Sequence, residues 1–429
     1  MDRAPGSPGS PGSAEEEARR LDAADPLPSL RGEFHVPPAP GGAHAEAAYF
    51  AGNSLGLQPR SVARYLEEEL ADWSRLAVEG HTRARRPWVD YHEQAREPAA
   101  RLVGALPHEV VAMNSLTVNL HLMMATFYRP AGERTRIVIE DTAFPSDSYA
   151  VHSQAVHHGL DPEAAVVRLR PRAGEEHLRT EDVVAYLERD GARVALLLLG
   201  GVNYLTGQLM DMAAITKAGR AAGAVVGWDL AHAAGNVPLR LHDWDVDFAA
   251  WCTYKYLNSG PGAVAGCFVH ERHVRDAGLP RLSGWWGTDP ATRFRMEPRI
   301  APPATADAWQ LSNPPILALA PVLASLEIFD RVGMAALRAK SERLTAYLAG
   351  RLAAVPGLAV VTPDDPAARG CQLSIRVADA GGLTERLADS AGVMADAREP
   401  DIVRLAPVPL YSTYHDCHRA AAALEGLLG

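Results

Sequence analysis

A lysine between two tyrosines could carry covalent chemistry. Lys255 lies in CTYKYLNSGPG at 252–262, after the apolar run 247–251 and before a glycine-rich turn. Most lysines are exposed and take no part in chemistry. A lysine held among aromatic and small residues is less well solvated, and Schiff-base formation requires an uncharged amine. Lys255 is therefore a candidate nucleophile toward a carbonyl compound, with an ordinary surface lysine as the alternative.

A carboxylate ends another predicted strand. Asp229 lies in GWDLAHA at 227–233, and open parallel sheets place ligand-binding groups at the carboxyl ends of their strands. An aspartate there could hold the proton of a pyridinium ring, which makes the ring an electron sink. His232 could stack on such a ring. The alternatives are a helix N-cap for Asp229 and simple packing for His232.

Two further segments could hold an anion and a planar ring. Thr117 lies in SLTVNLH at 115–121, which opens a predicted helix, and helix N-termini bind phosphate groups. The segment FPSD at 144–147 follows a predicted strand, and its Phe144 could cover a planar cofactor. Ordinary helix capping and an ordinary turn are the alternatives.

A sheet covered by helices must position these residues. Short β-rich runs alternate with helical stretches through the middle of the chain, which favours a mostly parallel central sheet. An unbroken apolar run such as ALLLL is typical of a strand buried on both faces. The β-rich runs lie at 136–139, 166–169, 195–199, 224–228, 248–252 and 264–269. The fold class predicted is therefore α/β.

The rest of the chain predicts further domains. Helical periodicity occurs at 60–77, 212–222, 316–332 and 334–352. Strand-like runs at 358–362 and 371–377, a helix near 383–390 and a closing helix from Asp416 indicate a smaller C-terminal α/β domain. We predict a flexible tail at 1–24, with PGSPGSPGS and a short polar helix from 14, an N-terminal segment at 25–80, a large domain at 81–313 and a small domain at 314–429.

Composition argues against several classes of protein. The net charge of −10 over 429 residues disfavours a nucleic-acid-binding surface. The four cysteines form no C-x-x-C pair and no zinc spacing with histidines, so no metal site is predicted. Scattered thiols suggest a reducing compartment. The N-terminus has no signal-peptide core, and the apolar runs are too short to cross a bilayer, so a cytoplasmic protein without membrane contact is expected.

The order of the four chemical segments is more specific than any one of them. A helix start, an aromatic turn, a strand-end aspartate and a lysine follow one another at Ser115, Phe144, Asp229 and Lys255. This order resembles the pyridoxal-5′-phosphate (PLP) enzymes of fold type I, the aspartate aminotransferase superfamily. The resemblance implies a large PLP-binding domain with a mostly parallel sheet and a smaller C-terminal domain.

Longer motifs resemble one family, the kynureninases, from about Ala51 to the C-terminus. The run WDLAHAAGN followed by YKYLN is the most diagnostic part. One departure is Gly200, where many relatives carry a hydrogen-bonding residue. The matching motifs are FAGNSLGLQPR (50–60), GHTRARRPW (80–88), SLTVNLH, FPSD, GWDLAHAAGNVPLRLHDWDVDFA (227–249), YKYLN (254–258), LSGWWG (282–287), LSNPPIL (311–317) and RLAPVPLY (404–411).

The resemblance implies a role for each matching residue. Lys255 would carry PLP as a Schiff base, and Asp229 would pair with the ring nitrogen beside His232. Tyr254 would contact the phosphate end of the cofactor and relay a proton. Further cofactor contacts are implied for Leu116, Thr117, Phe144, Pro145, Ser146, Asp147, Trp285 and Asn313, the last two from the partner subunit of a homodimer. Substrate contacts are implied for His81, Ser312, Asn313 and Arg404, with Arg404 holding the α-carboxylate.

The implied reaction is hydrolytic cleavage of the Cβ–Cγ bond of L-kynurenine or 3-hydroxy-L-kynurenine. The products are anthranilate or 3-hydroxyanthranilate and L-alanine, in tryptophan catabolism, the kynurenine pathway and NAD biosynthesis. His81, Ser312 and Asn313 resemble the pocket of members that favour the hydroxylated substrate.

Two other interpretations remain. Another fold type I reaction, such as transamination or cysteine desulfuration, is the first. A desulfurase needs a cysteine on a mobile loop, whereas Cys371 lies in a β-like run and Cys417 in a helix. The second is a catalytically silent PLP-fold module for binding or regulation, which typically lacks the lysine or the acid. Both Lys255 and Asp229 are present.

Overall fold

The computed structural model describes residues 11–41, 44–276 and 278–429. Its helices are α1 Pro11–Ala23, α2 Ser61–Leu76, α3 Gly80–Arg83, α4 Arg96–Val103, α5 Leu116–Phe127, α6 Pro145–His157, α7 Pro162–Ala165, α8 Thr180–Asp190, α9 Met212–Ala221, α10 Glu271–Val274, α11 Pro290–Arg293, α12 Ile316–Val332, α13 Met334–Leu352, α14 Ala380–Ala391 and α15 Tyr414–Leu428. Its strands are β1 Phe34–His35, β2 Ala48–Tyr49, β3 Gln58–Pro59, β4 Val110–Ala112, β5 Arg136–Glu140, β6 Val166–Leu169, β7 Val194–Gly200, β8 Val225–Asp229, β9 Phe248–Trp251, β10 Gly266–Val269, β11 Ala359–Val360, β12 Leu373–Arg376, β13 Val393–Met394, β14 Asp396–Arg398 and β15 Ile402–Leu405.

The chain forms two compact units. The larger unit comprises Asn53–Ala335 and Pro363–Gly370. The smaller unit comprises the described part of Met1–Gly52 together with Ala336–Thr362 and Cys371–Gly429. The smaller unit therefore combines segments from both ends of the chain.

A seven-stranded sheet organises the larger unit, in the order β4-β10-β9-β8-β7-β5-β6. Strands β9, β8, β7, β5 and β6 pair in parallel, and β10 runs antiparallel to both β9 and β4. The mostly parallel sheet predicted from the sequence is confirmed, and each of the six predicted β-rich runs contains a strand. The three-residue β4 was not predicted.

Burial on both faces explains the sequence of the central strand. The β7 residues from Val194 to Leu199 are all buried, which is the burial expected for an unbroken apolar run in a parallel sheet. Strand β8 has the same character and ends at the buried Asp229. The carboxyl ends of β7 and β8 lie side by side, since Gly200 pairs with Asp229.

The smaller unit is an antiparallel sheet with helices packed on it. Its four strands follow the order β11-β12-β15-β14. Its core joins α1, α13, α14 and α15 to the sheet through the buried side chains of Ala18, Leu344, Leu348, Leu352, Leu373, Ile375, Leu383, Leu387, Leu405, Ala420 and Leu424. At its C-terminus, Thr413 and Asp416 form a capping box that begins α15.

The bounds of these units differ from the predicted domains. The large unit continues to Ala335 rather than 313, because α12 packs against α2 and α4 within it. Within the predicted tail at 1–24, residues 1–10 lie outside the described residues, and α1 occupies Pro11–Ala23. Ala18 of α1 is completely buried in the core of the smaller unit, so this part of the predicted tail is an ordered element.

The predicted helix at 60–77 forms as α2, but its apolar face is only partly covered. Val62 is buried, whereas Leu70 and Trp73 are 49% and 59% exposed.

Among the described helices, none is both long and apolar enough to cross a membrane.

Candidate active site

Lys255 lies in a tight turn just beyond β9. The amide of Asn258 donates to the carbonyl of Lys255 at 3.0 Å, and Asn258 has a positive φ of 55°. Asparagine tolerates this left-handed conformation better than most residues. The amide of Gly56 donates to the neighbouring Tyr254 carbonyl at 2.8 Å, and a Cβ on Gly56 would collide with the Lys255 carbonyl. Backbone contacts on both sides therefore hold the lysine in place.

The amine of Lys255 points into a group of rings. Its Nζ is 3.0 Å from Nε2 of the buried His232. The same Nζ is 5.8 Å from the ring centroid of Phe144 and 6.0 Å from that of Tyr254. The structure thus brings together four residues predicted from the sequence.

The lysine has few competitors for a covalent role. The lysines of the sequence are Lys217, Lys255 and Lys340. Lys217 is exposed on α9, and Lys340 is buried in the smaller unit, where it lies 3.7 Å from Asp25. Only Lys255 combines partial burial with a strand-end position in the larger unit.

Asp229 and Asp147 form a buried carboxyl pair at the end of β8. The amide of Ala231 donates to Oδ1 of Asp229 at 2.7 Å. Asp147, in the first turn of α6, is hydrogen-bonded to Asp229, and its pKa is raised well above its usual value by burial first and then by the Asp229 charge. Two adjacent carboxylates in a buried site do not both ionise readily. The pair therefore favours a proton or a cation between its oxygens.

A third carboxyl, Glu140, was not predicted from the sequence. It is buried at the end of β5, and Nδ2 of Asn203 donates to its Oε2 at 3.0 Å. The pKa of Glu140 is raised to about 7, mainly by burial and to a smaller extent by the charge of Asp229, against the lowering effect of the hydrogen bond from Asn203. The available signal was a charged residue ending the apolar strand RIVIE, beside the strand that carries Gly200.

Glu140 also accounts for the departure noted at Gly200. A Cβ on Gly200 would lie 2.9 Å from Oε1 of Glu140, which is too close for an ordinary contact. The Gly200 backbone instead hydrogen-bonds the Glu140 carboxylate. The missing side chain therefore makes room for a carboxyl.

Two helix N-termini meet near these carboxyls. Leu116 and Thr117 begin α5, and Oγ1 of Thr117 is 2.8 Å from Oγ of Ser146 in the first turn of α6. Ser115 precedes α5 without a side-chain capping hydrogen bond. Two hydroxyls that meet at the starts of two helices are groups of the kind that can bind an anion such as a phosphate.

The segment FPSD connects all parts of the site. Phe144 approaches Lys255, Ser146 approaches Thr117, and Asp147 pairs with Asp229. Pro145 is the first residue of α6, where its fixed φ suits a helix start and no amide is lost. One four-residue segment thus supplies an aromatic ring, a hydroxyl and a carboxyl group to the site.

Four other predicted residues of the larger unit make no contact with this cluster among the described interactions. His81, Ser312 and Asn313 are exposed, and the His81 ring contacts Trp88 edge-on at 5.5 Å. Trp285 is 43% exposed, and its Nε1 donates to the Arg293 carbonyl at 3.2 Å.

Arg404 belongs to the smaller unit. It lies on β15, is almost fully buried, and its Nη2 is 2.9 Å from Oδ1 of Asp396 on the adjacent strand β14. Nε of Arg404 donates to the same oxygen at 3.1 Å. A protein carboxylate thus contacts the guanidinium that was predicted to hold the substrate carboxylate.

The described residues fit PLP. An amine, a paired carboxyl group, an aromatic ring and converging helix N-termini match the aldehyde, ring nitrogen, ring face and phosphate of that cofactor. The buried carboxyl pair is the decisive part, since it requires a proton or a cation as its partner and a pyridinium supplies one.

Solved structures with the same fold support this assignment of architecture. A cysteine desulfurase from Thermococcus onnurineus NA1 aligns with 89% of this chain and 94% of its own, with a TM-score of 0.75 and 17% identity. A variant of C-DES with glycine covalently linked to its PLP cofactor aligns with 89% of this chain and 97% of its own, with a TM-score of 0.75 and 18% identity. The predicted fold type I architecture is confirmed.

Sequence relatives decide the family. A kynureninase from Salinispora tropica is 66% identical over 415 residues, which is 96% of each chain. Those from Myxococcus xanthus and Koribacter versatilis are 57% and 56% identical, over 96% and 95% of this chain and 97% and 96% of theirs. The chain belongs to the kynureninase family. The model of the kynureninase C-terminal domain also matches residues 337–424.

Membership of the kynureninase family confirms the resemblance predicted from the sequence and makes PLP the cofactor. It also makes the chain an enzyme. The four cysteines are all buried, and none of them forms a disulfide. A desulfurase needs an exposed, mobile cysteine, so the alternative of desulfuration lacks its nucleophile despite the structural similarity.

Proposed function

We propose that this enzyme hydrolyses the Cβ–Cγ bond of L-kynurenine or 3-hydroxy-L-kynurenine, releasing anthranilate or 3-hydroxyanthranilate and L-alanine. The observation that carries the proposal is the contact of Lys255 with His232, in one unit with the Asp229–Asp147 pair, in a chain of the kynureninase family. The reaction would belong to tryptophan catabolism by the kynurenine pathway, which also supplies NAD biosynthesis.

PLP, when bound, supplies an electron sink for the negative charge that develops beside the substrate amino group. The residues of the chain orient this chemistry. Asp229 would hold the proton on the ring nitrogen, and Asp147 would stabilise Asp229 through their hydrogen bond. Thr117 and Ser146 would bind the phosphate at the two helix N-termini, and Phe144 would cover one face of the ring.

Lys255 would have two successive roles. It would hold the cofactor covalently until the substrate amine displaces it, and its free Nζ would then accept the α-proton. His232, at 3.0 Å, would keep that Nζ in place through a hydrogen bond. Burial raises the pKa of Tyr254, so the phenol stays protonated and is suited to donate a proton during cleavage.

Arg404 would hold the substrate α-carboxylate. A guanidinium binds a carboxylate through two parallel hydrogen bonds, and burial strengthens such a charged contact. In this proposal the substrate carboxylate would add to, or replace, the contact with Asp396.

The direct test is release of fluorescent anthranilate when kynurenine is added to the purified, PLP-loaded enzyme. Alanine should appear in equal amount. Release of sulfide from cysteine, or amino transfer to a keto acid without anthranilate, would identify another fold type I reaction instead. A protein that binds PLP but turns over none of these substrates would be a silent module.

Substrate choice would depend on His81, Ser312 and Asn313. In this proposal the imidazole of His81 and the side-chain amide of Asn313 would hydrogen-bond the ring hydroxyl of 3-hydroxykynurenine. These side chains are exposed in the single chain, and in the proposed homodimer the partner subunit and the substrate would bury them. A buried polar group left without a partner costs about 1–3 kcal/mol, so the hydroxylated substrate should be favoured by roughly tenfold to a hundredfold. The ratio of kcat/KM for the two substrates measures this, and a ratio that favours kynurenine would contradict the assignment.

A homodimer with shared sites would complete the pocket. The exposure of Asn313 and Trp285, both assigned to cofactor contacts, supports this proposal. Phe294 packs edge-on against Trp285 at 5.5 Å and is 56% exposed, and Met296 is 69% exposed. Clustered apolar side chains on a surface are typical of an interface, and two-fold dimers are the commonest assembly.

A cytoplasmic location without membrane or nucleic-acid partners is the final part of the proposal. Its support is the lack of a disulfide at any of the four cysteines, which fits a reducing compartment, and the net charge of −10. Fractionation of cells that express the tagged protein, assayed by anthranilate release, would test the location.

A further inference from the structure

We propose that Glu109, His242 and His270 form a binding site for a divalent transition-metal ion of the zinc class. These three residues, here termed the His–Glu cluster, belong to the larger unit. Glu109 ends the short helix Pro107–Glu109 before β4, His270 follows β10, and His242 lies in the segment between β8 and β9. The sequence predicted no metal site, because no short motif connects residues as far apart as Glu109 and His242, 133 positions along the chain.

The spacing of the three side chains suits a metal ion. Oε1 of Glu109 is 3.0 Å from Nδ1 of His242 and 3.7 Å from Nδ1 of His270. The three candidate ligand atoms all lie within 4.8 Å of one another. Zinc–ligand bonds of about 2.0–2.2 Å place the corners of a tetrahedron roughly 3.4 Å apart. An ion would therefore require shifts of only a few tenths of an ångström to somewhat over one.

The carboxylate is held in position by backbone amides. The amide of Leu106 donates to Oε2 of Glu109 at 2.8 Å, and the amide of Glu271 donates to Oε1 at 2.7 Å. Glu109 has no solvent exposure. The rings of His242 and His270 stack at 5.0 Å with an interplanar angle of 16°, so both present Nδ1 toward the carboxylate. The ligands are thus oriented before any ion binds.

The second nitrogen of His270 has a carboxylate partner. Its Nε2 lies 3.4 Å from Oδ1 of Asp245, which is the arrangement that orients most metal-binding histidines. The amide of Arg272 donates to Nδ1 of His270 at 3.3 Å, so that nitrogen carries a lone pair. An ion would displace this long hydrogen bond and, at His242, the proton shared with Glu109.

Charge and access also suit a cation. Arg272 lies two residues after His270, and its guanidinium is paired with Asp245 at 2.6 Å and with Asp247 at 2.5 Å. His242 has 30% of its side chain exposed, which provides an entry path. Imidazole with one carboxylate favours zinc, nickel or cobalt over the oxygen-seeking Mg²⁺ and Ca²⁺.

The position of the cluster indicates a structural role. Strand β10 runs antiparallel to β9, with Val269 opposite Phe248. His270, which follows β10, therefore lies beside the first residue of β9. Lys255 follows the other end of β9. A bound ion would connect the segments that lead into β4, β9 and out of β10, and would stabilise this side of the sheet without touching the reaction.

The test uses the PLP-loaded enzyme after treatment with a chelator, titrated with Zn²⁺ in a calorimeter. One ion should bind per chain, raise the melting temperature and leave kcat unchanged, while Mg²⁺ should do none of these. His242→Ala and His270→Ala should each weaken Zn²⁺ binding by at least about 100-fold, since even the residues that orient metal ligands are worth about 10- to 100-fold. Asp245→Asn should weaken it by about 10- to 100-fold.

His108→Ala is the matched control. His108 lies beside Glu109, and its Nε2 is 3.4 Å from Glu271, but it is outside the ligand set, so binding should be unchanged. X-ray absorption at the zinc edge of the unaltered enzyme should show two imidazole ligands and no sulfur, which keeps the test valid if a variant fails to fold. Absence of Zn²⁺ binding, binding that survives both histidine substitutions, or a sulfur-containing shell would overturn the proposal.

Discussion

At the scale of single residues, the site depends on carboxyl groups that are buried, although charged side chains are usually exposed. Glu140, Asp147 and Asp229 are three buried carboxyls at the carboxyl ends of β5 and β8 and the start of α6. Burial and mutual repulsion raise the pKa of Glu140 to about 7 and that of Asp147 well above its usual value. Strongly shifted groups gathered in one place are typical of functional sites.

Replacing the lysine tests the covalent role. Lys255→Ala should lack the visible absorbance of a PLP Schiff base and lose turnover by several orders of magnitude, because it lacks both the covalent anchor and the base. Lys217→Ala, which changes an exposed lysine on α9, should behave as the unaltered enzyme. Borohydride reduction followed by peptide mapping identifies the labelled lysine, and a label on Lys217 or Lys340 would refute the assignment.

Glu140 predicts a specific pH dependence in the protein freed of PLP. Its pKa rises from the usual 4.5 of a glutamate to about 7 on folding. A raised folded-state pKa contributes stability that is fully present below pH 4.5 and is lost as the pH rises through about 7. Glu140→Gln keeps the hydrogen-bonding shape but cannot ionise. Its free energy of unfolding relative to the parent should therefore increase between pH 5 and pH 8, by up to roughly 3 kcal/mol at about 1.4 kcal/mol per pKa unit.

Urea unfolding at both pH values measures this difference. Asp182→Asn, at an exposed ion pair with Arg172, is the control and should show no such increase over the same range. A Glu140→Gln difference that stays constant with pH would mean that the carboxyl is already ionised in the folded protein.

At the scale of elements, two helices are placed so that their N-termini converge. Thr117 in α5 and Ser146 in α6 touch at 2.8 Å although they are 29 positions apart. The contact between the two hydroxyls predicts that the two helix starts act together on one anion. Neither helix start is distinctive by itself, because Ser and Thr precede many helices.

Removing both hydroxyls tests the phosphate role. Thr117→Ala with Ser146→Ala should weaken PLP binding by about 10- to 100-fold, since each neutral hydrogen bond contributes about 0.5–1.5 kcal/mol. At saturating PLP, kcat should change much less, because the hydroxyls do not touch the reacting atoms. Spectroscopic PLP titration and steady-state kinetics separate the two effects. Ser153→Ala, later in α6, is the control, and an equal loss of kcat at saturation would argue against a phosphate role.

At the scale of the whole molecule, the larger unit leaves several large apolar side chains uncovered. Trp73 is 59% exposed, Met296 is 69% exposed and Trp285 is 43% exposed. Trp285 and Met296 line one surface pocket, and exposed apolar side chains that lie together often mark an interface. A second copy of the chain is the partner that would also complete the site.

Mixing inactive variants tests the shared site. Lys255→Ala chains mixed with Asn313→Ala chains should recover roughly a quarter of the normal activity, because half of the dimers are hybrids and each hybrid has one intact site. Lys255→Ala mixed with Asp229→Ala should recover none, since both residues act from the same chain. Sedimentation gives the mass, and a fully active monomer at micromolar concentration would contradict the proposal.

The sequence alone determined the features that depend on local burial. Strands β5 to β10 were predicted because each contains a short β-rich run, and in β7 that run is unbroken and apolar, as a strand buried on both faces requires. Lys255 and Asp229 were predicted because each follows such a run. The family followed from long motifs, and the relatives at up to 66% identity confirm it.

Only the tertiary structure decided which distant residues meet. Glu140 joins Asp229 because β7, which carries Gly200, lies between β5 and β8 in the sheet. Residues from both ends of the chain share one core in the smaller unit. The His–Glu cluster brings together three segments at the place where β9 begins and β10 ends. The physical reason is that a local pattern reports how deeply a segment is buried, whereas the order of strands in the sheet decides its neighbours.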